Sequence, residues 1–497
     1  MKNNRILSWL SEHRVIRVLV LIAFFYLICF FLFPFDSPLS KVTATDNGIY
    51  MTIGRSWIHG AIPYRDLFDQ KGPFTFLVNA AGYLLSDSKT GPFLVCGMIV
   101  FSALAIEWHI LSGISRRLAL LTCFLTAAGV WVFAFCLNMP EVHVLPFTAY
   151  PVCTFYQWIV LQKGNIQEKL KPGKVFLFGI CFGIALMTKA TNGMVILGVC
   201  ISAGVIYFRN RWYSDFWKSI AIFLAGTALI FGIFSVYFLI YGSFHDSIYG
   251  TFLFNFLYTG QQSKSADALR TAIQYAIPVL LPAGYLICDA RKNGERNYSF
   301  VLLTVIFAIA GQSMGNLMPH YAACNLPLYA LVIADVLLRL QPGRKRKAAI
   351  TVYSFLILIL FGKLIALDGW RVLTYSRWGE HIYQADIQVK DFIDAHHLGD
   401  SMLAYNTEPD IYLISETVPA WKHFSLQDFH AEFDPEIRDE FREILRSRKI
   451  QCLVLSSEPI ADEESAALIS ENYELAYTAT GKNYRGETRT EYIYVLR

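Results

Sequence analysis

Residues Val42–Phe76 read VTATDNGIYMTIGRSWIHGAIPYRDLFDQKGPFTF, directly behind the first long apolar run of the chain. Asp46, Arg55, His59, the Pro63-Tyr64-Arg65-Asp66 turn, Asp69, Lys71 and Pro73 all fall within it, a density of ionisable groups that the flanking apolar segments never approach. Charges are costly in hydrocarbon, so the stretch reads as a non-spanning island beside a membrane. It is expected to carry the chemistry, with the remaining chain holding it at a membrane surface or supplying its substrates.

The composition sets the frame for that island. The 497 residues are 55% hydrophobic, 15% aromatic and only 16% charged, and the mean hydropathy is +0.40. Such a chain is far more apolar than a soluble domain and is expected to be a polytopic membrane protein. The net charge of +4 is small, and the basic residues lie in short clusters between apolar runs, which argues against a nucleic-acid partner. Nine of the ten cysteines fall in or at the ends of apolar segments, with Cys452 apart, so neither a disulfide framework nor a zinc spacing is indicated.

Apolar segments of spanning length, roughly 20 residues each, lie at 15–34, 92–111, 117–136, 142–162, 174–190, 192–208, 217–241, 268–288, 298–315, 320–339 and 347–367. About eleven transmembrane helices are therefore expected. The first reads as an uncleaved helix and not as a signal peptide, because it is too long and too far from the Val42-Thr43-Ala44 site. With a cytoplasmic N-terminus, Arg116-Arg117, Lys163 to Lys174, Arg209 to Lys218, Arg291 to Arg296 and Arg344 to Lys347 all fall inside. That orientation puts the first loop, 37–90, and a second loop, 242–267, on the extracytoplasmic side. Within the first loop, 75–85 is too short to span and reads as an interfacial helix.

The expected division is a transmembrane domain over 1–375 and an extracytoplasmic accessory α/β domain over 376–497. In the second, helical patterns at 381–396 and 434–448 alternate with strand patterns at 402–405, 452–455 and 491–496. His396-His397 has no acidic or cysteine partner at metal-ligand spacing.

Four ionisable residues at segment ends share the extracytoplasmic face: Asp46 after the first segment, Glu141 opening the fourth, Lys189 closing the fifth and His320 opening the tenth. Taken singly, Glu141 reads as a helix-start cap and Lys189 as a snorkelling cation. Snorkelling charges would be scattered over both faces and be mostly Lys or Arg. Two acids, a lysine and a histidine on one side look more like a site.

These residues also carry a resemblance. Asp46 with Gly48-Ile49-Tyr50, Gly60 to Asp66, and Phe68-Asp69-Gln70-Lys71-Gly72-Pro73 resemble the first outer loop of the GT-C superfamily of polyprenyl-phosphate-sugar glycosyltransferases. The bacterial members in question are related to protein O-mannosyltransferases and the lipid A aminoarabinose transferase. Pro140-Glu141, Gly183 to Lys189, His320-Tyr321 and the C-terminal domain extend the similarity over nearly the whole chain. The resemblance implies that Asp46 is the catalytic aspartate and that Lys71, Lys189, His320 and Tyr321 handle the donor phosphate. It implies hexosyl- or pentosyl-type transfer, with inversion, onto a lipid, glycan or protein acceptor at a plasma or inner membrane. Many relatives have two adjacent acids where this chain has Asp46-Asn47, which puts a metal held by an acidic pair in doubt. If a divalent cation is bound, Asp46 and Glu141 are the carboxylates that would hold it.

The chemistry fits on its own terms. Transfer to an alcohol needs a base for the acceptor's proton and cations for the departing phosphate. A secondary transporter is the alternative from another class, but it would place its charges near the midplane of broken helices and often show inverted repeats. A ligase moving a whole glycan from a pyrophosphate carrier shares the architecture and differs in its donor.

Overall fold

The computed structural model describes residues 14–497 except 39, 41–42, 135, 163–165, 262–265, 294–298, 315–317, 341–342, 457–459 and 483–486. The N-terminal basic residues, Lys163, Gln262–Lys264 and Arg296 lie outside the described residues.

Each apolar segment expected to span falls on a helix. They are Arg14–Leu32, Thr90–Leu111, Arg116–Phe133, Leu145–Leu161, Pro172–Leu186, Met194–Arg209, Tyr213–Ile240, Ala266–Lys292, Ser299–Gln312, Leu326–Arg339 and Arg344–Ile382. Among the described residues, seven helices are long and apolar enough to cross a membrane, and the remaining expected spans are shorter apolar helices. Tyr213–Ile240 leaves Leu224, Leu229, Ile233, Val236 and Leu239 exposed along its length. Surface of that kind is stable against lipid and not against water. The protein is a polytopic α-helical membrane protein with a small sheet domain.

The first loop differs from an irregular connection. Its first half is a helix, Thr45–Ile58, and its second half a helix, Pro73–Leu85, packed against the first. Seen in sequence, the charges of 45–58 suggest a loop, but Ile49, Tyr50, Met51 and Ile53 are buried. The helix stops at His59-Gly60, where Gly60 takes a φ of 100° that side-chain-bearing residues rarely adopt. The second loop is also helical, as Phe244–Ile248, a π-helical turn Tyr249–Leu253, and Phe254–Gln261.

Arg344–Ile382 runs 39 residues, so the compositional change after Leu367 lies inside a continuous helix. Gln384–His396 follows at once. The sheet has the order β1-β2-β4-β3, with β1 Met402–Tyr405, β2 Cys452–Leu455, β3 Tyr473–Lys482 and β4 Thr488–Leu496. β1 and β2 are parallel; β4 pairs antiparallel with both β2 and β3. β3 is the strand that sequence patterning omits, because most of its residues are exposed.

This domain sits on the first loop. Thr45 donates its hydroxyl to Glu408 at 2.7 Å. The Phe68 amide donates to the Lys422 carbonyl at 2.7 Å, and His430 Nε2 lies 3.0 Å from Gln70 Oε1. At Gly48 a side chain would come within 2.9 Å of Pro409, so only glycine allows that approach.

Candidate active site

Asp46 is the second residue of the Thr45–Ile58 helix and is half-buried. The N-terminal turn of a helix leaves N–H groups unpaired, so an acidic side chain suits this position. Asn47 faces elsewhere. Its amide nitrogen donates to Asp36 Oδ1 at 3.1 Å and its amide oxygen accepts from Asn138 Nδ2. Asp36 also accepts from the backbone amides of Leu137 and Asn138, and Asn138 exchanges hydrogen bonds with Asn79. This buried network ties the segment leading to Glu141 against the helix of Asp46. A second acid at position 47 would lose the donor and face Asp36.

Lys71 is presented by backbone contacts on both sides. Its amide donates to Asp69 Oδ1 at 2.9 Å, and its carbonyl accepts from Tyr64 Oη at 2.7 Å. Thr251 from the second loop donates to Tyr64 Oη at 3.1 Å. Asn255 donates to the neighbouring Gln70 carbonyl at 2.7 Å. No side-chain hydrogen bond or ion pair engages the Lys71 ammonium among the described residues. Burial disfavours its charge, but Asp69 and Asp46 outweigh that and hold the pKa above the ordinary lysine range. Burial pushes the Asp69 carboxyl up, with Lys71 opposing.

The second half of the site is a salt-bridged group. Pro140 starts the short Pro140–His143 helix and brings Glu141 to the interior, and Asn192 holds the Pro140 carbonyl at 3.2 Å. Glu141 Oε1 lies 2.8 Å from Lys189 Nζ. Burial raises the Glu141 pKa, but the charges of Lys189 and His320 more than offset it and hold the carboxyl below its usual range. Lys189 Nζ also stands 3.2 Å from the Tyr321 ring centroid, a cation–π contact. The charges of Glu141, Lys189, Asp46 and Lys71 all act on the His320 ring.

The two halves are joined by main chain. Gly72 N–H donates to Thr188 O at 2.8 Å and Phe74 N–H to Met187 O at 2.9 Å. Asp46, Lys71, Glu141, Lys189, His320 and Tyr321 are thus gathered at one face of the bundle. Among the described residues no group of three or more His, Cys, Asp and Glu could hold a metal ion. Lys189 engages Oε1 of Glu141, while the buried Oε2 has no hydrogen-bond partner among the described residues.

Tyr50 enters the sequence reading only within Gly48-Ile49-Tyr50, with no role of its own. It lies one turn after Asp46, is fully buried, and its hydroxyl has no hydrogen-bond partner among the described residues. A helical phase for 45–58 would have put positions 46 and 50 on one face.

Helices, loops and site together define a polytopic membrane protein with a charged site at the base of a first-loop helix pair. In solved structures the same architecture is found in ArnT from Cupriavidus metallidurans. The form bound to undecaprenyl phosphate shares 15% identity over 96% of this chain and 97% of that one, with a TM-score of 0.57. The apo form shares 15% identity over 97% and 98%, with a TM-score of 0.58. The chain has the GT-C fold. No protein-family model and no curated protein sequence matches it.

Proposed function

We propose that the protein is an integral-membrane glycosyltransferase that moves a single sugar from a polyprenyl-phosphate carrier to an acceptor hydroxyl on the extracytoplasmic side, with inversion. Asp46 takes the acceptor's proton as the acceptor oxygen bonds to the sugar's anomeric carbon. The bond from that carbon to the phosphate oxygen breaks, and its electron pair leaves with the polyprenyl phosphate. Lys71 meets the growing phosphate charge. Lys189, His320 and Tyr321 shape the far wall, with Glu141 fixing Lys189. The polyprenyl tail stays in the bilayer, which requires a site at a bilayer surface.

The observation that carries this reading is a half-buried ammonium at Lys71, with no side-chain hydrogen bond or ion pair among the described residues, near a half-buried carboxylate at Asp46, on a GT-C fold. Undecaprenyl phosphate in the similar ArnT structure supports a lipid phosphate as ligand. The test incubates purified protein with candidate polyprenyl-phosphate sugars and measures release of polyprenyl phosphate. Release from at least one, abolished in Asp46→Asn, is expected; no release from any, or undiminished release by the variant, overturns the reading. Parallel incubation with polyprenyl-pyrophosphate glycans distinguishes the ligase alternative.

A further inference from the structure

We infer that the Tyr50 hydroxyl is a hydrogen-bond donor to the phosphate of the lipid-linked donor, acting beside Lys71 in the site described above; the inference rests on the glycosyltransferase reading.

A buried hydroxyl without a partner costs free energy, since it has given up water for nothing. Tyr50 is 0% exposed, and its Oη has no partner among the described residues. Its ring is fixed against Phe76, with centroids 6.4 Å apart. The hydroxyl therefore cannot swing out to solvent. What surrounds it is the site itself: the charges of Asp46, Asp69 and Glu141 and the Tyr321 phenol all act on it. A phenol in such company is explained by a ligand that completes its hydrogen bonding.

The chemistry of that ligand follows from the neighbours. Burial first, then the three carboxylates, raise the Tyr50 pKa, so the group stays protonated and offers a proton. The ligand must then supply an acceptor oxygen. Asp46, only half-buried, is the side an aqueous acceptor can reach, whereas Tyr50 lies one turn deeper. An anion that enters there is repelled by several carboxylates and needs donors that offset them. Lys71 supplies charge, and a neutral phenol adds a donor without the desolvation cost of a second cation. Tyr50 then touches the leaving group, and its bond strengthens as the phosphate gains charge, which lowers the barrier to donor cleavage.

The test compares wild type, Tyr50→Phe and Lys71→Ala in detergent, using a short-chain polyprenyl monophosphate as the binding probe and the active donor for kinetics. Tyr50→Phe keeps the ring and loses no hydrogen bond of the unliganded protein, so its melting temperature is expected to be unchanged or higher. Its affinity for the monophosphate and its kcat/KM for the donor should fall about 10- to 100-fold, as expected for one hydrogen bond to a charged group. Lys71→Ala should fall at least as far. Unchanged binding and kcat/KM in Tyr50→Phe overturn the inference while leaving the glycosyltransferase reading intact. A Tyr50→Phe protein with a lowered melting temperature and normal phosphate affinity assigns Tyr50 to the core and also overturns it. A wild-type protein that neither binds the monophosphate nor consumes any donor overturns both.

Discussion

Gly72 and Thr188 are joined by a 2.8 Å backbone hydrogen bond, which places Lys71 and Lys189 on either side of one seam. A Cβ at position 72 would stand 2.1 Å from the Met187 carbonyl oxygen, an approach no side chain tolerates. The seam can close only because residue 72 is glycine, and closing it brings the first loop to the helix end that carries Lys189. Gly72→Ala is therefore expected to force the two segments apart and to cost about 1–3 kcal/mol in stability. The shift also moves Lys71, and a displacement of that order lowers activity roughly 100-fold. Thermal melting and donor-consumption kinetics on the same preparation check both effects; a variant with wild-type kinetics would show that the seam does not set the site.

Asp46→Asn should fold and insert normally, because an amide still suits the first turn of a helix and its side chain carries no buried ion pair. Transfer should fall by about 100- to 10,000-fold, the range associated with loss of a general base. Near wild-type transfer by the variant, measured as acceptor glycosylation, would remove Asp46 from the catalytic role.

Glu141 and Lys189 form a buried pair at 2.8 Å, with side-chain exposures of 2% and 15%. Removing either partner leaves a charge without compensation in a dry environment, at a cost of about 3–5 kcal/mol. Glu141→Gln and Lys189→Ala should each destabilise the protein, and Lys189→Glu should be worse because it sets two carboxylates together. The exchanged pair, Glu141→Lys with Lys189→Glu, should recover part of the loss. A double-mutant cycle in urea reads the coupling; additive single effects would show that the pair is not a unit.

The spans were legible in the sequence because each apolar run is long and the basic clusters alternate with them. The gathering of Asp46, Glu141, Lys189 and His320 on one face was legible for the same reason. What escaped depends on contacts distant in sequence. Thr45–Ile58 is mixed in polarity and reads as a loop; as a helix it is braced by Glu408, 363 positions away. Missing the helix meant giving Tyr50 no role, since its relation to Asp46 exists only at helical phase. The lysines looked equivalent, and it is Glu141, 48 residues from Lys189, that makes one committed and leaves the other open.

His430 is fully buried against Phe68, with Nε2 3.0 Å from Gln70 Oε1. Burial, aided by the charge of Lys71, pushes its pKa down to about 3. The unfolded chain binds this proton near pH 6.5 and the folded chain does not. The stability this group contributes is thus full above about pH 6.5 and is lost as pH falls toward 3, by about 1.4 kcal/mol per pH unit. Asp410 works in the opposite sense, since burial raises its pKa to about 6. The difference between wild type and His430→Gln isolates the histidine: glutamine can still donate to Gln70 but does not titrate. Between pH 7.5 and 5 the wild-type melting temperature should fall more steeply than that of the variant. Parallel curves would mean that His430 is not held neutral in the fold.

The C-terminal domain touches the site loop at several points, and these contacts decide what its removal does. Glu408 holds Thr45, next to Asp46; the Lys422 carbonyl holds the Phe68 amide; His430 holds Gln70, next to Lys71; Asp434 holds Tyr249 of the second loop. The neighbours of both proposed reacting groups are thus anchored outside the membrane helices. An accessory cap that merely selected acceptors would leave donor cleavage intact when removed. A chain ending at residue 375 is instead expected to lose donor cleavage together with transfer, because Asp46 and Lys71 lose their outer supports while the helices beneath persist. Circular dichroism establishes that the shortened chain keeps its helices, and release of polyprenyl phosphate in the absence of acceptor reads cleavage. His396→Ala serves as the control, since His396 stacks on Phe392 away from these contacts and its loss should change neither rate. A shortened, helical chain that still cleaves donor near the full-length rate would reduce the domain to acceptor selection, and a His396→Ala protein as inactive as Asp46→Asn would move the chemistry into the domain itself.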